Sequence, residues 1–389
     1  MSSGPRIAVI GAGIGGAALA LALARSGRKV KVYEQAPELR EVGAGISLSP
    51  NAVKGLRYLG IGAAVDAAAD EPPVQLTRHF QTGEILVNID RSNAREEFGA
   101  PYLQMHRADL HTLITESLLA IDSGSIELGK RFQSVDGDIS GYRLEFADGS
   151  RAGADLVVGA DGLKSRLREN VFGESAPEFS GFIAWRGLLP TAALGDYELP
   201  EGSAVFVARG RLFVRYPVRR GRLQNFVAFS MADEWSAEGW SQTGPAELLR
   251  DMFADFHAEV TTLLGRYEQQ RVHKWGLFAR QPLPEWVRGR ITVLGDAAHP
   301  MLPWFGQGAA TSIEDAVVLA RALTEIDDVD DALRRYEAGR RERVTRVHEE
   351  SLLGGQRLLA QDPMALARKP VKTEDTLGLT QYDPATVAL

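Results

Sequence analysis

Residues 6–34 of the chain read RIAVIGAGIGGAALALALARSGRKVKVYE, and they predict the fold of the N-terminal part. The apolar run at 7–10 has the length of a buried strand, and the alanine- and leucine-rich run at 17–24 consists of strong helix formers. A second strand at 29–33 ends at Glu34. Between the first strand and the helix stand three glycines in the spacing G-x-G-x-x-G, namely Gly11, Gly13 and Gly16.

Each feature of this stretch has a physical use in binding a dinucleotide. Gly11 lets the chain turn tightly off the strand, Gly13 lets the backbone approach a pyrophosphate, and Gly16 lets the helix pack closely on the sheet. The helix N-terminus offers free N–H groups and a positive dipole end to the anion. Glu34 stands where a carboxylate accepts hydrogen bonds from ribose hydroxyls. A packed glycine turn is the alternative; the full strand–helix–strand context favours a dinucleotide site, with FAD and NAD both open.

The composition sets the broad class of protein. The chain has 389 residues, of which 44% are hydrophobic and 24% charged, so it forms two globular domains or one large elaborated one. Its net charge of −7 argues against a general affinity for nucleic acid or for anionic membranes. Since it has no cysteine, disulfides, iron–sulfur clusters and cysteine nucleophiles are excluded, and we expect no metal site. We see no leader segment and no membrane span, and expect a soluble, cytoplasmic monomer or homodimer.

Two further strand ends carry a glycine and a carboxylate. An apolar strand at 154–158 runs into Gly-Ala-Asp-Gly with Asp161, and another at 290–294 runs into Gly295 and Asp296. An aspartate after a strand is more commonly a helix cap. Together with the strand end before Gly11, however, these junctions suggest one long ligand lying across the carboxyl edge of a parallel sheet.

The rest of the chain predicts a second, mainly antiparallel layer. Short alternating runs with tryptophans and a helix at about 246–264 fill residues 176–284, and strands at 74–90 leave the nucleotide-binding sheet. Glu314 and Asp315 suit the positive N-terminal end of a helix at 309–323, and the arginines of a long C-terminal helix from 332 read as a solvated face. The predicted division is a nucleotide-binding domain in three parts (1–73, 101–175, 285–330), a substrate sheet in two (74–100, 176–284), and a C-terminal helix and tail (331–389).

Taken together, the motifs resemble those of the single-component FAD-dependent aromatic hydroxylases, the group A flavoprotein monooxygenases related to p-hydroxybenzoate and salicylate hydroxylase. The resemblance covers about residues 6–350. It implies an α/β fold, with a Rossmann-like FAD-binding domain, an inserted and mainly antiparallel β-sheet substrate domain, and a C-terminal helix. It also implies FAD as cofactor and NADH or NADPH as co-substrate. The positions that it assigns to FAD are Gly11, Gly13, Gly15, Gly16, Glu34, Gly45, Arg107, Asp161, Asp296, Gly306, Gly308 and Ala309.

The same resemblance implies individual roles along the cofactor. Glu34 is expected at the adenosine ribose, Arg107 at the phosphate or ribose region, and Asp296 at the ribityl chain. Asp161 belongs to an Asp-Gly motif that serves both FAD and the reduced nicotinamide in this family.

The implied activity is hydroxylation of a small phenolic or heteroaromatic acid with O2, through a flavin C4a-hydroperoxide. A cofactor has to carry this chemistry because side chains cannot. A flavin oxidase or dehydrogenase of an amine or alcohol is an alternative, and a non-catalytic FAD-binding redox module is the least favoured one. Three departures from patterns in relatives lie around the substrate, so the exact substrate stays open: Ser47 and Arg215 replace histidines, and Pro303 replaces a glutamine.

The candidates for catalysis are Tyr216, His299 and Pro300. Tyr216 would hydrogen-bond a substrate hydroxyl, or else fill the core. Arg215 would pair with a substrate carboxylate, but neighbours on a strand face opposite sides and we prefer Tyr216. His299 is a candidate base, although holding Pro300 and the flavin-facing turn is the favoured role. The predicted substrate pocket consists of Ser47, Arg215, Tyr216, Pro303 and Trp304.

Overall fold

The computed structural model describes residues 4–39, 44–173, 176–235, 242–360, 362–368 and 372–389. Its strands are β1 (Ile7–Ile10), β2 (Val30–Tyr33), β3 (Gly45–Leu48), β4 (Val74–His79), β5 (Ile85–Asp90), β6 (Leu103–His106), β7 (Ile126–Glu127), β8 (Phe132–Asp138), β9 (Gly141–Phe146), β10 (Arg151–Ala154), β11 (Leu156–Gly159), β12 (Glu178–Pro190), β13 (Ser203–Ala208), β14 (Arg211–Val218), β15 (Leu223–Met231), β16 (Gln242–Pro245), β17 (Arg271–Ala279), β18 (Val287–Arg288) and β19 (Ile291–Val293). Its α-helices are α1 (Ile14–Arg25), α2 (Pro50–Tyr58), α3 (Gly62–Ala68), α4 (Ala94–Phe98), α5 (Arg107–Ile121), α6 (Arg166–Phe172), α7 (Ala246–Met252), α8 (Ala258–Gly265), α9 (Gly308–Glu325) and α10 (Val329–Ala360).

A six-stranded sheet forms the centre of the nucleotide-binding part, in the order β18-β19-β11-β1-β2-β7. Strand β1 pairs in parallel with β2 and β11, and β11 pairs in parallel with β19. The three strand ends that carry Gly11, Asp161 and Gly295 therefore lie side by side at one edge. This confirms the predicted arrangement of the three junctions along the carboxyl edge of one sheet.

Helix α1 is buried between the sheet and two other helices. It packs against α5 and α9, and Leu19, Leu21 and Leu23 are fully buried. Leucines at every second position of a helix point to different sides, so all sides of α1 need apolar neighbours. The alanines between them allow the close approach of α9 on one side and α5 on the other.

An eight-stranded sheet, in the order β16-β17-β12-β15-β14-β13-β4-β5, forms the second layer. All pairs in it are antiparallel except β13 with β4, and β4 and β5 come from the region 74–90, as predicted. One face is apolar and aromatic, with Phe213 and Phe226 packed against Phe253 of the α7–α8 region. The opposite face looks towards the carboxyl edge of the six-stranded sheet.

Two sequence-based expectations about helices are wrong. The single helix expected at 246–264 is two helices, α7 and α8. The arginines of α10 do not all form a solvated face, because Arg340 is fully buried. The tail after α10 includes a 3₁₀ turn at Pro363–Arg368, and Leu377 and Leu379 are buried against Val347 of α10. Within the part of the chain that the structure describes, no helix is long and apolar enough to cross a membrane. The domain boundaries stay a prediction.

Candidate active site

A cleft of about 480 Å³ lies between the carboxyl edge of the six-stranded sheet and the open face of the eight-stranded sheet. One end starts at the N-terminus of α1 with Gly13, Ile14 and Gly15. The other end is lined by β13, β14 and β15 and by the 3₁₀ turn at Pro303–Phe305. The cleft is thus long and runs from the glycine motif to the substrate sheet.

The three motif glycines have the mechanical roles that their spacing predicted. Gly11 has a φ of +101°, and a Cβ there would lie 2.5 Å from the carbonyl oxygen of Ala160. A Cβ on Gly16 would lie 2.1 Å from the carbonyl oxygen of Gly11. A Cβ on Gly13, in contrast, would meet no atom within 4 Å, and Gly13 lines the cleft at the start of α1. An anion can therefore come close to the backbone at Gly13, as a pyrophosphate requires.

Glu34 and Asp161 both use their carboxylates on the protein backbone. Glu34 accepts hydrogen bonds from the backbone N–H of Ala12 at 2.7 Å and of Ala36 at 2.8 Å. A carboxylate has about four acceptor sites, so Glu34 keeps capacity for ribose hydroxyls. Asp161 accepts from the Ser165 hydroxyl at 2.5 Å and from a backbone N–H at the start of α6.

Asp161 stands beside the wall of the cleft, and its contact with FAD stays a prediction. Its neighbours Ala160 and Gly162 line the cleft, whereas Asp161 itself does not. Burial raises the pKa of the Asp161 carboxyl, and its hydrogen bonds with Ser165 and α6 oppose that shift. The Asp161 side chain thus supports the N-terminus of α6, where it accepts from Leu167 N–H and from the hydroxyl of the N-cap residue Ser165.

Asp296 and Arg107 face the middle of the cleft. Asp296 follows β19, is exposed to the cleft, and stands in a 3₁₀ turn at Gly295–Ala297. Burial by the surrounding protein raises the pKa of its carboxyl, while the charges of His299 and Arg107 lower it. Arg107 begins α5, and its backbone N–H donates to the carbonyl of Ala44 at 2.8 Å. The Asp296 carboxylate can accept hydrogen bonds from hydroxyls, and the Arg107 guanidinium can donate to phosphate oxygens. The pair therefore suits a ligand that carries both groups.

The loop after β19 continues along the cleft up to α9. Gly306, Gly308 and Ala309 line it, and their contact with FAD stays a prediction. Gly306 has a φ of +62°, which lets the chain turn from the 3₁₀ turn into α9. The N-terminus of α9 thereby points its free backbone N–H groups at the cleft.

His299 and Pro300 lie outside the cleft, and this corrects the prediction that they are catalytic. Both are buried, and neither lines the cleft. The His299 ring donates from Nε2 to Asp315 at 2.6 Å and stacks on Trp286 with ring centroids 5.2 Å apart. Burial alone would raise the pKa of Asp315, but His299 and Arg340 lower it to about 2. His299 therefore holds the loop, which is the role that the sequence favoured.

A buried polar network that the sequence did not predict lies behind this loop. Glu314 and Asp315 are fully buried in the interior of α9, so their expected role at its N-terminal end is wrong. Arg340 of α10 contacts both, with nitrogen–oxygen distances of 2.7 Å to each carboxylate. Asn51 and Gln307 extend the network to α2 and to the cleft loop.

Tyr216 and Ser47 meet at the substrate end of the cleft. Both line it, and Ser47 lies close enough to Tyr216 to influence the pKa of its hydroxyl. Burial raises the pKa of Tyr216 well above its ordinary value, against the smaller effects of Ser47 and of the positive charge of Arg186. Gly45 of β3 packs directly on Tyr216 and donates its backbone N–H to Asn225 Oδ1 at 2.7 Å. Gly45 thus fixes the depth of this end of the cleft.

Arg215 lies on the opposite face of the sheet from Tyr216, so its predicted place in the substrate pocket is wrong. It is 2% exposed and donates from Nε to Glu259 of α8 at 2.5 Å. Its terminal nitrogens donate to the carbonyls of Gly202 and Pro200 at 2.6 and 2.9 Å. The alternation of side chains along β14 separates it from Tyr216, as expected.

The wall of the substrate end is mainly apolar. Val205, Val214 and Val227 are paired across neighbouring strands, and Arg186 continues their row on β12. Trp304 lies beside Phe229, with ring centroids 5.1 Å apart. The side chains that line this end include Ser47, Val205, Val214, Tyr216, Val227, Phe229, Trp275, Leu302, Pro303 and Trp304. Pro303 and Trp304 therefore line the cleft, and their contact with the substrate stays a prediction.

A polar patch at the edge of the cleft was also missed by the sequence. Arg91 and Gln104 line it, both are buried, and Arg91 stacks on Tyr102 at 3.7 Å from the ring centroid. The tail contributes Glu374 and Asp375, which pair with Arg91 at 3.3 and 2.5 Å. Nothing local in residues 372–389 signals that they reach the cleft.

The fold and the cleft together define an FAD-binding protein of the α/β class. The parallel sheet, the open backbone at Gly13, and Asp296 in mid-cleft fit a dinucleotide that extends beyond its pyrophosphate. In the described ranges, no group of three or more histidine or acidic side chains could hold a metal ion. Residues 6–351 match the FAD binding domain family, and the chain belongs to that family.

Named relatives narrow the activity. The chain is 41% identical to 6-hydroxynicotinate 3-monooxygenase of Bordetella bronchiseptica over 357 residues, which cover 90% of this chain and 91% of the relative. It is 36% identical to 3-hydroxybenzoate 6-hydroxylase 1 of Aquipseudomonas alcaligenes over 348 residues, 89% of this chain and 87% of that one. A solved salicylate hydroxylase substrate complex superposes with a TM-score of 0.83 and 29% identity, over 99% of this chain and 97% of the other.

The protein is an FAD-dependent aromatic-ring monooxygenase. FAD is its cofactor, and NADH or NADPH and O2 are its co-substrates, as the sequence predicted. Because the named relatives are monooxygenases of aromatic acids, the chain is neither an amine or alcohol oxidase nor a non-catalytic redox module.

Proposed function

We propose that the protein hydroxylates a small aromatic acid that carries a hydroxyl group on a benzene or pyridine ring. One observation carries the proposal. The hydroxyls of Tyr216 and Ser47 and the guanidinium of Arg186 face the same apolar cleft. The relatives named for hydroxynicotinate and hydroxybenzoate support a ring with both a hydroxyl and a carboxylate.

Arg186 is the proposed counter-charge of the substrate carboxylate. It lies on β12 and Tyr216 on β14, with β15 between them, so their strands are about 10 Å apart. Side chains that converge from such a distance can bind the two ends of one substituted ring. The Arg186 guanidinium lies over Trp275, 4.7 Å from the ring centroid, and this contact orients its planar donor group.

Tyr216 is the proposed partner of the ring hydroxyl. A tyrosine hydroxyl, with an ordinary pKa of about 10, is neutral near pH 7. Burial raises the pKa of Tyr216 further, so its hydroxyl acts as a hydrogen-bond donor rather than as a base. A donor at this position favours negative charge on the substrate oxygen, which activates the ring towards an electrophilic oxygen. Ser47 lines the cleft beside it and lowers the pKa of Tyr216 slightly, against the larger effect of burial.

The chemistry that FAD supplies when bound is uptake of electrons from NAD(P)H and activation of O2. The residues Gly13, Arg107, Asp296, Gly306 and Gly308 would hold it along the cleft. Trp304 and the valine row would keep water away from the reacting ring, which protects the activated oxygen.

A substrate screen tests the proposal. Hydroxylated benzoic and pyridine carboxylic acids should accelerate oxidation of NADH or NADPH and yield hydroxylated product. Each acid is compared with its methyl ester, and the preference is the ratio of their kcat/KM values. Arg186→Gln should lower this ratio by about 10- to 100-fold. Arg211→Gln is the matched control, since Arg211 pairs with Asp255 and lies outside the cleft. An unchanged preference in Arg186→Gln would place the carboxylate elsewhere, and no product from any acid would reject the substrate class.

The setting of the enzyme belongs to the same proposal. We expect a cytoplasmic monomer or homodimer that draws on the soluble pool of reduced nicotinamide. Size-exclusion chromatography with light scattering and fractionation of the producing cells test both points.

A further inference from the structure

We propose that Arg340 is a positioning residue for the loop that follows β19. It holds two cleft-lining turns of this loop in place at once, the turn at Gly295–Ala297 and the turn between Gly306 and Gly308. Arg340 lies in α10, is fully buried, and does not line the cleft. Its guanidinium stands between two buried carboxylates that belong to consecutive positions of α9, Glu314 and Asp315. Each carboxylate leads to a different part of the loop.

The first arm runs through Asp315 to the turn that carries Asp296. Arg340 Nε donates to Asp315 Oδ1 at 2.7 Å. The other oxygen, Oδ2, accepts from the backbone N–H of Gly295 at 2.9 Å and from His299 Nε2 at 2.6 Å. Both carboxylate oxygens of Asp315 are used. Its position therefore fixes the Gly295 backbone and the His299 ring, which stand on either side of Asp296 in the sequence.

The second arm runs through Glu314 to the turn between Gly306 and Gly308. Arg340 Nη2 lies 2.7 Å from Glu314 Oε2. Arg343 of the same helix supports this carboxylate from the other side, donating from Nε and Nη2 at 2.9 and 2.8 Å. Glu314 Oε1 accepts from Asn51 Nδ2 at 2.6 Å, and the same amide donates to Gln307 Oε1 at 3.1 Å. Since Gln307 stands between the two cleft-lining glycines, this arm sets the position of the loop at the far side of the cleft.

A guanidinium is suited to this bridging position and an ammonium is not. The planar fork of Arg340 presents separate N–H donors to Asp315 and Glu314, whereas a lysine has one point charge at the end of a flexible chain. A buried ion pair of this kind is weak evidence for stability in itself, because desolvation offsets much of the attraction. Its use here is geometric, since one side chain ties two loop segments to the same helix.

Two conservative variants separate the arms. Asp315→Asn disturbs the turn before Asp296, and we expect FAD to dissociate from the holoenzyme about tenfold faster, the scale of one lost hydrogen bond to a charged group. Glu314→Gln disturbs the turn at Gln307, and we expect normal FAD retention with a lower yield of hydroxylated product per NAD(P)H oxidised. Fluorescence of FAD released on dilution measures the first effect and needs no substrate, so it stands apart from the proposed substrate class.

Arg340→Lys should shift both quantities, and Arg335→Lys should shift neither. Arg335 is the matched control, because it is an exposed residue of the same helix that pairs with Asp331. If Arg340→Lys fails to fold, the two carboxylate variants still decide the question. The inference is overturned if Asp315→Asn and Glu314→Gln change FAD release and product yield to the same extent. It is also overturned if both leave these readouts at the parent values and lower only the Tm.

Discussion

Replacing Gly45 by alanine tests the geometry of the substrate end with a single methyl group. The added Cβ would lie 2.4 Å from Tyr216 Cε2 and 2.7 Å from Asn225 Cγ, well inside ordinary contact. To relieve these contacts the Tyr216 ring has to move by about 1 Å, and a displacement of that size can reduce turnover by about 10²-fold. We expect most of the NAD(P)H that Gly45→Ala oxidises to yield H2O2 instead of hydroxylated product.

The assay is the ratio of hydroxylated product to NAD(P)H consumed, with H2O2 measured in parallel. Gly339→Ala is the matched control, because a Cβ there meets no atom within 4 Å and Gly339 lies inside α10. That variant should keep the parent ratio and gain about 0.5–1 kcal/mol of stability. Parent turnover and parent product ratio in Gly45→Ala would refute the assignment of this end to the substrate.

Three other outcomes test the rest of the site. Gly16→Ala should lose about 1–3 kcal/mol of stability because its Cβ meets a backbone oxygen, whereas Gly13→Ala should keep the parent Tm and bind FAD more weakly; equal Tm values for the two would contradict this. Glu259→Gln should lower the free energy of unfolding in denaturant by about 3–5 kcal/mol, because the buried Arg215 loses its charge partner. The KM should stay unchanged, and a raised KM would indicate that Arg215 contacts the substrate. The pKa of Asp315 is lowered to about 2, so its contribution is present above its unfolded pKa of about 4 and is lost as the pH falls towards 2. The Tm of Asp315→Asn should therefore fall less steeply than that of the parent across this window; parallel curves would contradict the shift.

The nucleotide-binding half was predictable because its rules are local. The close approach of Gly16 to Gly11 and the turn at Gly11 follow from the spacing of the glycines, and the structure has both. The adjacency of the three strand ends followed from the rule that ligands lie at the carboxyl edge of a parallel sheet. The choice of Tyr216 over Arg215 for the cleft followed from the alternation of a strand.

The errors concern polar groups whose partners are distant in the sequence. Arg215 is held by Glu259 and His299 by Asp315, and no local pattern shows which carboxylate a basic residue will meet. The burial of Arg340 did leave a signal. It stands four residues after Tyr336 and four before Val344, in line with the apolar stripe of α10. A charged residue in such a stripe is buried only when it is paired.

Oxygen isotope incorporation shows whether the protein transfers an oxygen atom from O2 to an aromatic ring. The purified, FAD-loaded protein is given an aromatic hydroxy acid and NADH or NADPH under oxygen-18 gas. We expect product that carries one labelled oxygen atom on the ring, in step with NAD(P)H oxidised and O2 consumed. Unlabelled product, or reduction of the flavin by the acid without any nicotinamide, would contradict this expectation.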